Sequence, residues 1–181
     1  MTLCSLFITF DYMKFIMDSD CLIKLTKAHL KELVCSSFEI ILPEQVKREV
    51  VDAGGDHPDA EVVRENINRN ILSVLPGPGK SRAKGEEEAL VLYRRGRFTG
   101  ICSDDRRFIR RLRVLDVPYV TPAVLMLLLV KNGRLSVSDA YAKLDALNPF
   151  ISADEYLVAK LKLQSISVGG KGDEDQIIKT T

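Results

Sequence analysis

Short apolar segments alternate with helix-like segments along this chain of 181 residues. Apolar runs of four to eight residues that end at turn-forming or acidic residues are typical of buried strands. Such runs predict four strands, at residues 13–17, 38–42, 71–75 and 98–102, and a shorter run at 118–120 is a candidate fifth strand. Strands that alternate with helices favour a parallel sheet, whose ligands bind beyond the carboxyl ends of the strands. We therefore predict an α/β fold with a central parallel sheet of four or five strands.

Helix signals fill the gaps between these strands. Apolar spacing and capping residues predict helices at residues 19–35, 60–68, 86–95, 138–147 and 153–163, with further helices beginning near Pro43, Asp104 and Thr121. The expected organisation is an N-terminal extension at residues 1–12, one domain at residues 13–163, and a polar, disordered tail at residues 164–181.

Composition excludes several classes of function. A net charge of +1 excludes the binding of a polyanion by bulk charge alone. The longest apolar run, residues 123–130, is too short to span a bilayer, which needs about 20 residues. The cysteines have no C-x-x-C spacing and there are only two histidines, so a zinc site or a disulfide framework is disfavoured. We expect a cytoplasmic protein with no membrane association.

Acidic residues follow two of the predicted strands. Asp18 ends the first strand, and Asp104 and Asp105 follow the fourth. Like charges about 4 Å apart repel by about 4 kcal/mol at an effective dielectric of about 20, so clustered carboxylates need raised pKa values or a cation. Oxygen ligands suit Mg²⁺ or Mn²⁺, which activate water and neutralise phosphodiester charge. The same acids could instead be helix caps, and Glu49 could lie on a solvated helix face.

Four segments in chain order resemble the four motifs of the PIN-domain family. These segments are FIMDSDCLIKL, ILPEQVKREVV, GEEEALVLY and ICSDDRRF. The third is similar to the G-E-x-E-A form of a subgroup among VapC-like toxin ribonucleases, and VTPAVLMLLLVKNGRLS continues the resemblance. The likeness covers about residues 14–163. It implies a three-layer α/β/α fold and metal-dependent hydrolysis of RNA with Mg²⁺ or Mn²⁺.

Positions within these motifs imply a role for each acid. The implied catalytic residues, which would also bind the metal, are Asp18, Glu49, Glu86 and Asp105. The neighbouring Glu88 and Asp104 are further candidate metal ligands. Asp20 and Ser103 are candidate supporting residues. Asp20 departs from the Ser, Thr or Asn that is usual at its position, and Ser103 could donate a hydrogen bond to a carboxylate.

A basic segment lies around the third and fourth motifs. Residues 80–113 contain eleven Lys and Arg against five Asp and Glu, a local charge of +6. Four of these arginines share neighbouring positions on one predicted helix and are candidate RNA-binding residues: Arg106, Arg107, Arg110 and Arg113. A solvated helix face and a surface for an acidic partner protein are the alternatives.

Two other functions fit parts of the sequence. Asp18 and Asp20 form a D-x-D pair after a strand, which resembles the first motif of haloacid-dehalogenase-like phosphatases, with Asp18 as nucleophile and Asp20 as general acid. A catalytically inactive PIN-like binding module is the second alternative. Within the nuclease interpretation, the family resemblance implies a toxin with a neutralising antitoxin partner, and a homodimer.

Overall fold

The computed structural model describes residues 13–52, 55, 58–76 and 85–168. Its sheet has five parallel strands in the order β3-β2-β1-β4-β5. The strands are β1 (Lys14–Met17), β2 (Glu39–Pro43), β3 (Ser73–Leu75), β4 (Gly100–Cys102) and β5 (Tyr119–Val120). The predicted α/β fold with a parallel sheet of four or five strands is therefore confirmed.

Helices connect successive strands. Those in the described ranges are α1 (Ser19–Lys27), α2 (Lys31–Ser37), α3 (Glu44–Lys47), α4 (Pro58–Asn68), α5 (Gly85–Arg95), α6 (Arg106–Val114), α7 (Pro122–Lys131), α8 (Val137–Leu147) and α9 (Ala153–Val168). A π-helical turn at Arg48–Asp52 extends α3, and a 3₁₀ turn at Asn148–Phe150 follows α8.

Side chains of β1 alternate between two cores, which defines three layers. Phe15 and Met17 belong to the larger core, which also contains residues of α1, α2 and α7. Ile16 points to the smaller core with Leu90 of α5 and Phe108 of α6. Every residue of α7 from Pro122 to Val130 is buried, because α8 and α9 pack over it. The sheet therefore lies between α5 and α6 on one face and the remaining helical layer on the other.

The ends of two predicted helices were wrong. The helix predicted at residues 19–35 is two helices, α1 and α2, separated at residues 28–30, where His29 has a φ of +53°. A residue with positive φ interrupts the helical repeat. Because this residue is His and not Gly, nothing in the sequence indicated the break. The helix predicted to begin near Pro43 is present as α3, which starts at Glu44 with Pro43 as its N-cap and as the last residue of β2. Finally, α9 extends to Val168, five residues beyond its predicted end at Leu163.

The predicted N-terminal extension and C-terminal tail are untested over most of their length. Residues 1–12 and 169–181, which include most of the expected tail, lie outside the described residues. Among the residues that the structure covers, no helix combines the length and apolar character needed to cross a bilayer.

The strand order places a crevice at the carboxyl ends of β1 and β4. The chain moves outward from β1 to β2 and β3 and then returns to the other side of β1 with β4. The connections after β1 and β4 therefore leave the sheet in different directions, and such reversal points are where open α/β sheets bind ligands. Asp18 follows β1, and Ser103, Asp104 and Asp105 follow β4.

Candidate active site

Asp18 joins β1 to α1 at the centre of the sheet. Its backbone N–H donates to the carbonyl of Cys102 on β4 at 3.1 Å, and its Oδ1 accepts from the backbone N–H of Cys21 at 2.8 Å as the cap of α1. The side chain is 9% exposed. Burial raises the pKa of Asp18 to about 7, and the carboxylates of Asp104 and Asp20 add to this effect. Hydrogen bonds from Ser103 and Cys21 act in the opposite direction. Asp18 is thus both a cap and a destabilised anion.

The three residues after β4 have different environments. Ser103 is fully buried, hydrogen-bonds to Asp18, and accepts from the backbone N–H of Asp105 at 3.2 Å. Asp105 caps α6, because its Oδ1 accepts from the N–H groups of Arg107 and Phe108 at 2.8 and 2.7 Å. Asp104 instead pairs with the ammonium group of Lys24. Two adjacent acids thus make separate contacts on opposite sides of one turn.

Glu49 projects from the π-helical turn that follows α3. Its Oε2 accepts from the hydroxyl of Ser19 at 3.3 Å, and its Oε1 accepts from the Gln45 amide at 3.2 Å. Such π-helical turns are rare and occur often at functional sites, since the extra residue redirects the side chains. The hydrogen bond to Ser19 therefore joins the segment that carries Glu49 to the residue next to Asp18.

The first turn of α5 contains three consecutive glutamates with different contacts. Glu86 lies at the same pocket as Asp18 and Glu49. Glu87 forms a two-bond ion pair with Arg111, and its carboxylate is half exposed. Glu88 Oε2 accepts from the backbone N–H of Gln45 at 2.7 Å and so binds the beginning of α3. Glu88 therefore holds the helix that precedes Glu49.

Gly85 has a specific steric reason to lack a side chain. A Cβ atom at Gly85 would lie 3.1 Å from Cγ2 of Val46 and 3.4 Å from Oε2 of Glu49. The first distance is tighter than ordinary van der Waals contact, so Val46 or Gly85 would have to move. The absent side chain lets α5 approach the Glu49 carboxylate closely.

Five carboxylates from four segments line one pocket of about 350 Å³, which we name the acidic pocket. They are Asp18, Asp20, Glu49, Glu86 and Asp105. None of the described residues that line it is basic. Its donors are all oxygen atoms, which fit Mg²⁺ or Mn²⁺, and burial raises the pKa of Asp18 among them. Within the described ranges, however, no three His, Cys, Asp or Glu side chains are arranged as a complete metal site.

A second pocket, of about 520 Å³, lies across the turn formed by Asp104 and Asp105; we name it the arginine pocket. One wall is the face of α6 that carries Arg106, Arg110 and Arg113. Arg107, the fourth arginine singled out in the sequence, is exposed and does not line this pocket. Three further bases of the basic segment, Lys80, Arg82 and Lys84, lie outside the described residues.

A family model of the PIN domain matches residues 14–164, which is most of the chain. The chain belongs to the PIN-domain family. PIN domains are generally nucleases, which are hydrolases that act on nucleic acid, and they typically use divalent metal ions. A comparison with curated proteins gave no match.

Sequence reasoning missed two polar residues beside the acidic segments of this PIN domain. Lys24 lies one helical turn after Asp20, a spacing that places both on one face of α1 and could have revealed it. Partial burial lowers the pKa of Lys24, but its hydrogen bond to Asp104 and the surrounding carboxylates raise it overall. Glu155 of α9 was also missed. Burial raises its pKa, against hydrogen bonds from Thr121 and Ala123 that lower it.

Proposed function

We propose that this PIN domain is a metal-dependent endoribonuclease that hydrolyses RNA phosphodiester bonds. The observation that carries the proposal is the acidic pocket itself. Asp18, Glu49, Glu86 and Asp105, which come from four separate segments, line one small pocket with no described basic residue among them. Carboxylates gathered at one pocket repel one another and a bound cation would relieve that repulsion, so the arrangement favours a metal-dependent reaction.

We assign Asp18, Glu49, Glu86 and Asp105 as the residues that would hold one or two Mg²⁺ or Mn²⁺ ions. Bound metal would activate water and neutralise charge on the phosphodiester. Ser103 positions Asp18 by a hydrogen bond. Glu88 and Asp104 are weaker candidates, because Glu88 binds the backbone of Gln45 and Asp104 pairs with Lys24. Asp20, at the exposed side of the acidic pocket, would add charge to the site.

The decisive experiment is cleavage of a labelled, mixed-sequence RNA by the purified full chain with Mn²⁺, with Mg²⁺ and with EDTA. We expect cleavage that requires metal and is lost in Asp18→Asn. The matched control is Asp116→Asn, which makes the same change at an exposed position whose φ of +52° suits Asn. Absence of cleavage by the folded wild type, or equal loss in both variants, would contradict the proposal.

The phosphatase and the inactive module remain distinguishable alternatives. The family match favours the nuclease over a haloacid-dehalogenase-like phosphatase. Asp20→Asn tests this choice, since it would nearly abolish a phosphatase that uses Asp20 as general acid but only modulate a nuclease. An inactive module is disfavoured because all four motif acids are present and line one pocket. Biological activity that survives Asp18→Ala would support that module.

Partner proposals rest on the family resemblance. We propose that the protein is the toxin of a toxin–antitoxin pair, that a segment of the antitoxin fills the acidic pocket, and that the chain acts as a cytoplasmic homodimer. Light scattering of the purified protein tests the dimer. Relief of growth inhibition by a gene neighbouring its own tests the antitoxin.

A further inference from the structure

The arginine pocket has its charges separated onto two walls. Arg106, Arg110 and Arg113 lie at intervals of four and three residues on α6, so they share one helix face. The opposite wall contains Asp154 and Glu155 from the first turn of α9, together with the hydroxyl of Ser152. Ile109 of α6 and Val158 of α9 add apolar surface, and Asp104, which pairs with Lys24, also lines the pocket.

Several of these polar groups are held in place by other contacts. The phenolic oxygen of Tyr119 accepts from Nε of Arg113 at 2.9 Å, and Nε of Arg110 donates to the carbonyl of Arg106 at 3.3 Å. On the other wall, Oε1 of Glu155 accepts from the backbone N–H of Ala123 at 3.1 Å. These contacts reduce the freedom of long side chains, which lowers the entropy cost of binding a ligand.

The arginine pocket adjoins the acidic pocket through one turn of the chain. Asp104 lines the first and Asp105 lines the second, and consecutive Cα atoms are about 3.8 Å apart. The two pockets thus meet at consecutive residues of one turn, which is the placement that a single RNA strand entering both would need. The volume of about 520 Å³ falls within the range of roughly 300–1,000 Å³ that small-molecule sites occupy.

Resting on the nuclease function above, we propose that the arginine pocket binds the RNA nucleotide adjacent to the scissile phosphate. Arg106, Arg110 and Arg113 contact its phosphate, the apolar surface of Ile109 and Val158 packs against its base, and Asp154 and Glu155 accept hydrogen bonds from its ribose hydroxyl or base amino groups. An ordinary nucleotide has these three parts: an anion, an apolar ring face and N–H or O–H donors.

An acidic peptide fits the same pocket less well. Its carboxylates would pair with the arginines, but they would also face Asp154 and Glu155 across the cavity. A nucleotide avoids this repulsion because its donors lie at the end away from the phosphate. The two-walled charge distribution thus favours RNA over an acidic protein segment.

The test is RNA binding by the full chain in EDTA, where cleavage is absent. Fluorescence anisotropy would follow a labelled eight-nucleotide single-stranded RNA of mixed sequence and, separately, a labelled Glu/Asp octapeptide. We expect Arg110→Ala to weaken RNA binding about tenfold, as for the loss of one charged hydrogen bond. Arg111→Ala is the matched control, since Arg111 lies on α6 but pairs with Glu87 outside the pocket, and it should weaken binding by no more than about twofold.

A second variant tests the cavity without changing charge. Val158→Trp, at a position that is 41% exposed, would fill the pocket and should weaken RNA binding about as much as Arg110→Ala. Thermal melting confirms that each variant is folded. Equal losses in Arg110→Ala and Arg111→Ala, or wild-type RNA binding by Val158→Trp, would overturn the proposal, as would octapeptide binding that depends on Arg110 in the absence of RNA binding.

Failure of this proposal and failure of the proposed function give different results. RNA binding that depends on Arg110, in a protein that cleaves no RNA with any metal, supports the arginine pocket and contradicts the nuclease. Metal-dependent cleavage lost in Asp18→Asn, with RNA binding indifferent to Arg110 and Val158, supports the nuclease and overturns the arginine pocket.

Discussion

The ammonium group of Lys24 pairs with Oδ2 of Asp104, 80 positions further along the chain. The pair joins α1 to the turn after β4, beside the buried carboxyl group of Asp18. Asp104 is nearly buried, and its Oδ1 has no hydrogen-bond partner among the described residues. Lys24 is therefore the positive charge that compensates the acid next to Asp105.

Lys24→Met should destabilise the metal-free protein. Its loss leaves Asp104 unpaired beside Asp18, and we expect the free energy of unfolding at pH 7 to fall by about 2 kcal/mol, the size of a charged hydrogen bond. Chemical denaturation in EDTA measures this. The double variant Lys24→Met, Asp104→Asn should recover much of the loss because the unpaired charge is gone. Additive losses in the double variant would show that the two side chains are not coupled.

The metal-free protein should lose stability as pH rises from about 4 to 7. Because the pKa of Asp18 is raised from 3.8 to about 7, the folded protein retains a proton in this window that the unfolded chain has released. Asp18→Asn should remove this component and be more stable than wild type at pH 8, by at most about 4 kcal/mol at about 1.36 kcal/mol per unit. Denaturation curves from pH 4 to 8 in EDTA test both expectations.

The titration of Asp18 should also make stabilisation by metal depend on pH. Since a metal ion at the acidic pocket must displace the Asp18 proton, Mn²⁺ should raise the melting temperature more at pH 8 than at pH 5. In Asp18→Asn the added stabilisation should be small at both pH values. A larger stabilisation at pH 5 than at pH 8 would contradict the assignment of Asp18 as a ligand.

Gly85→Ala should reduce catalysis more than stability. The added methyl group would press on Val46 and the Glu49 carboxylate, while alanine is favoured over glycine in a helix by roughly 1 kcal/mol. We expect RNA cleavage to fall at least about tenfold, within the range for perturbed supporting residues. Combining it with Glu49→Gln should add little further loss, because both changes act on one carboxylate. Fully additive losses in the double variant would show that Gly85→Ala acts on a group other than the Glu49 carboxylate.

Glu86→Gln and Glu88→Gln form a matched pair on one helical turn. Glu86 lines the acidic pocket, so its neutralisation should lower cleavage by about 10²-fold or more. Glu88 binds the backbone N–H of Gln45, a contact that Gln can retain, so Glu88→Gln should change cleavage by less than about threefold. Single-turnover cleavage rates decide between them. A larger loss of cleavage in Glu88→Gln than in Glu86→Gln would indicate that Glu88 is the metal ligand.

The sequence was sufficient to place the acids that follow strands. Asp18 and Asp105 could be predicted at one edge of the sheet, because each follows closely on an apolar strand. The carboxyl ends of parallel strands lie at the same edge. The choice between Asp104 and Asp105 was not available from the pattern. Adjacent residues leave a turn in different directions, and only the packed position of Lys24 determines that Asp104 is paired.

Other features of the site depend on tertiary packing that no local pattern encodes. The π-helical turn that carries Glu49 follows a helix of only four residues, which periodicity cannot resolve. The arginine pocket needs α6 and α9 to line one cavity, although the two helices are separated by about 40 positions in the chain. The sequence indicated the arginines, but their opposing wall of Asp154 and Glu155 emerges only in the fold.

The central place of β1 in the sheet has a consequence for protein synthesis. A ribosome produces β1, β2 and β3 first, yet one edge of β1 has no partner until β4 emerges more than 80 residues later. Until then the nascent chain exposes an unpaired apolar edge, and such edges invite association with other chains. A product that terminates at Arg95 would contain Asp18, Glu49 and Glu86 but lack both the strand that completes the sheet and the fourth acid. Premature termination would therefore release an incomplete, aggregation-prone chain instead of a complete PIN domain.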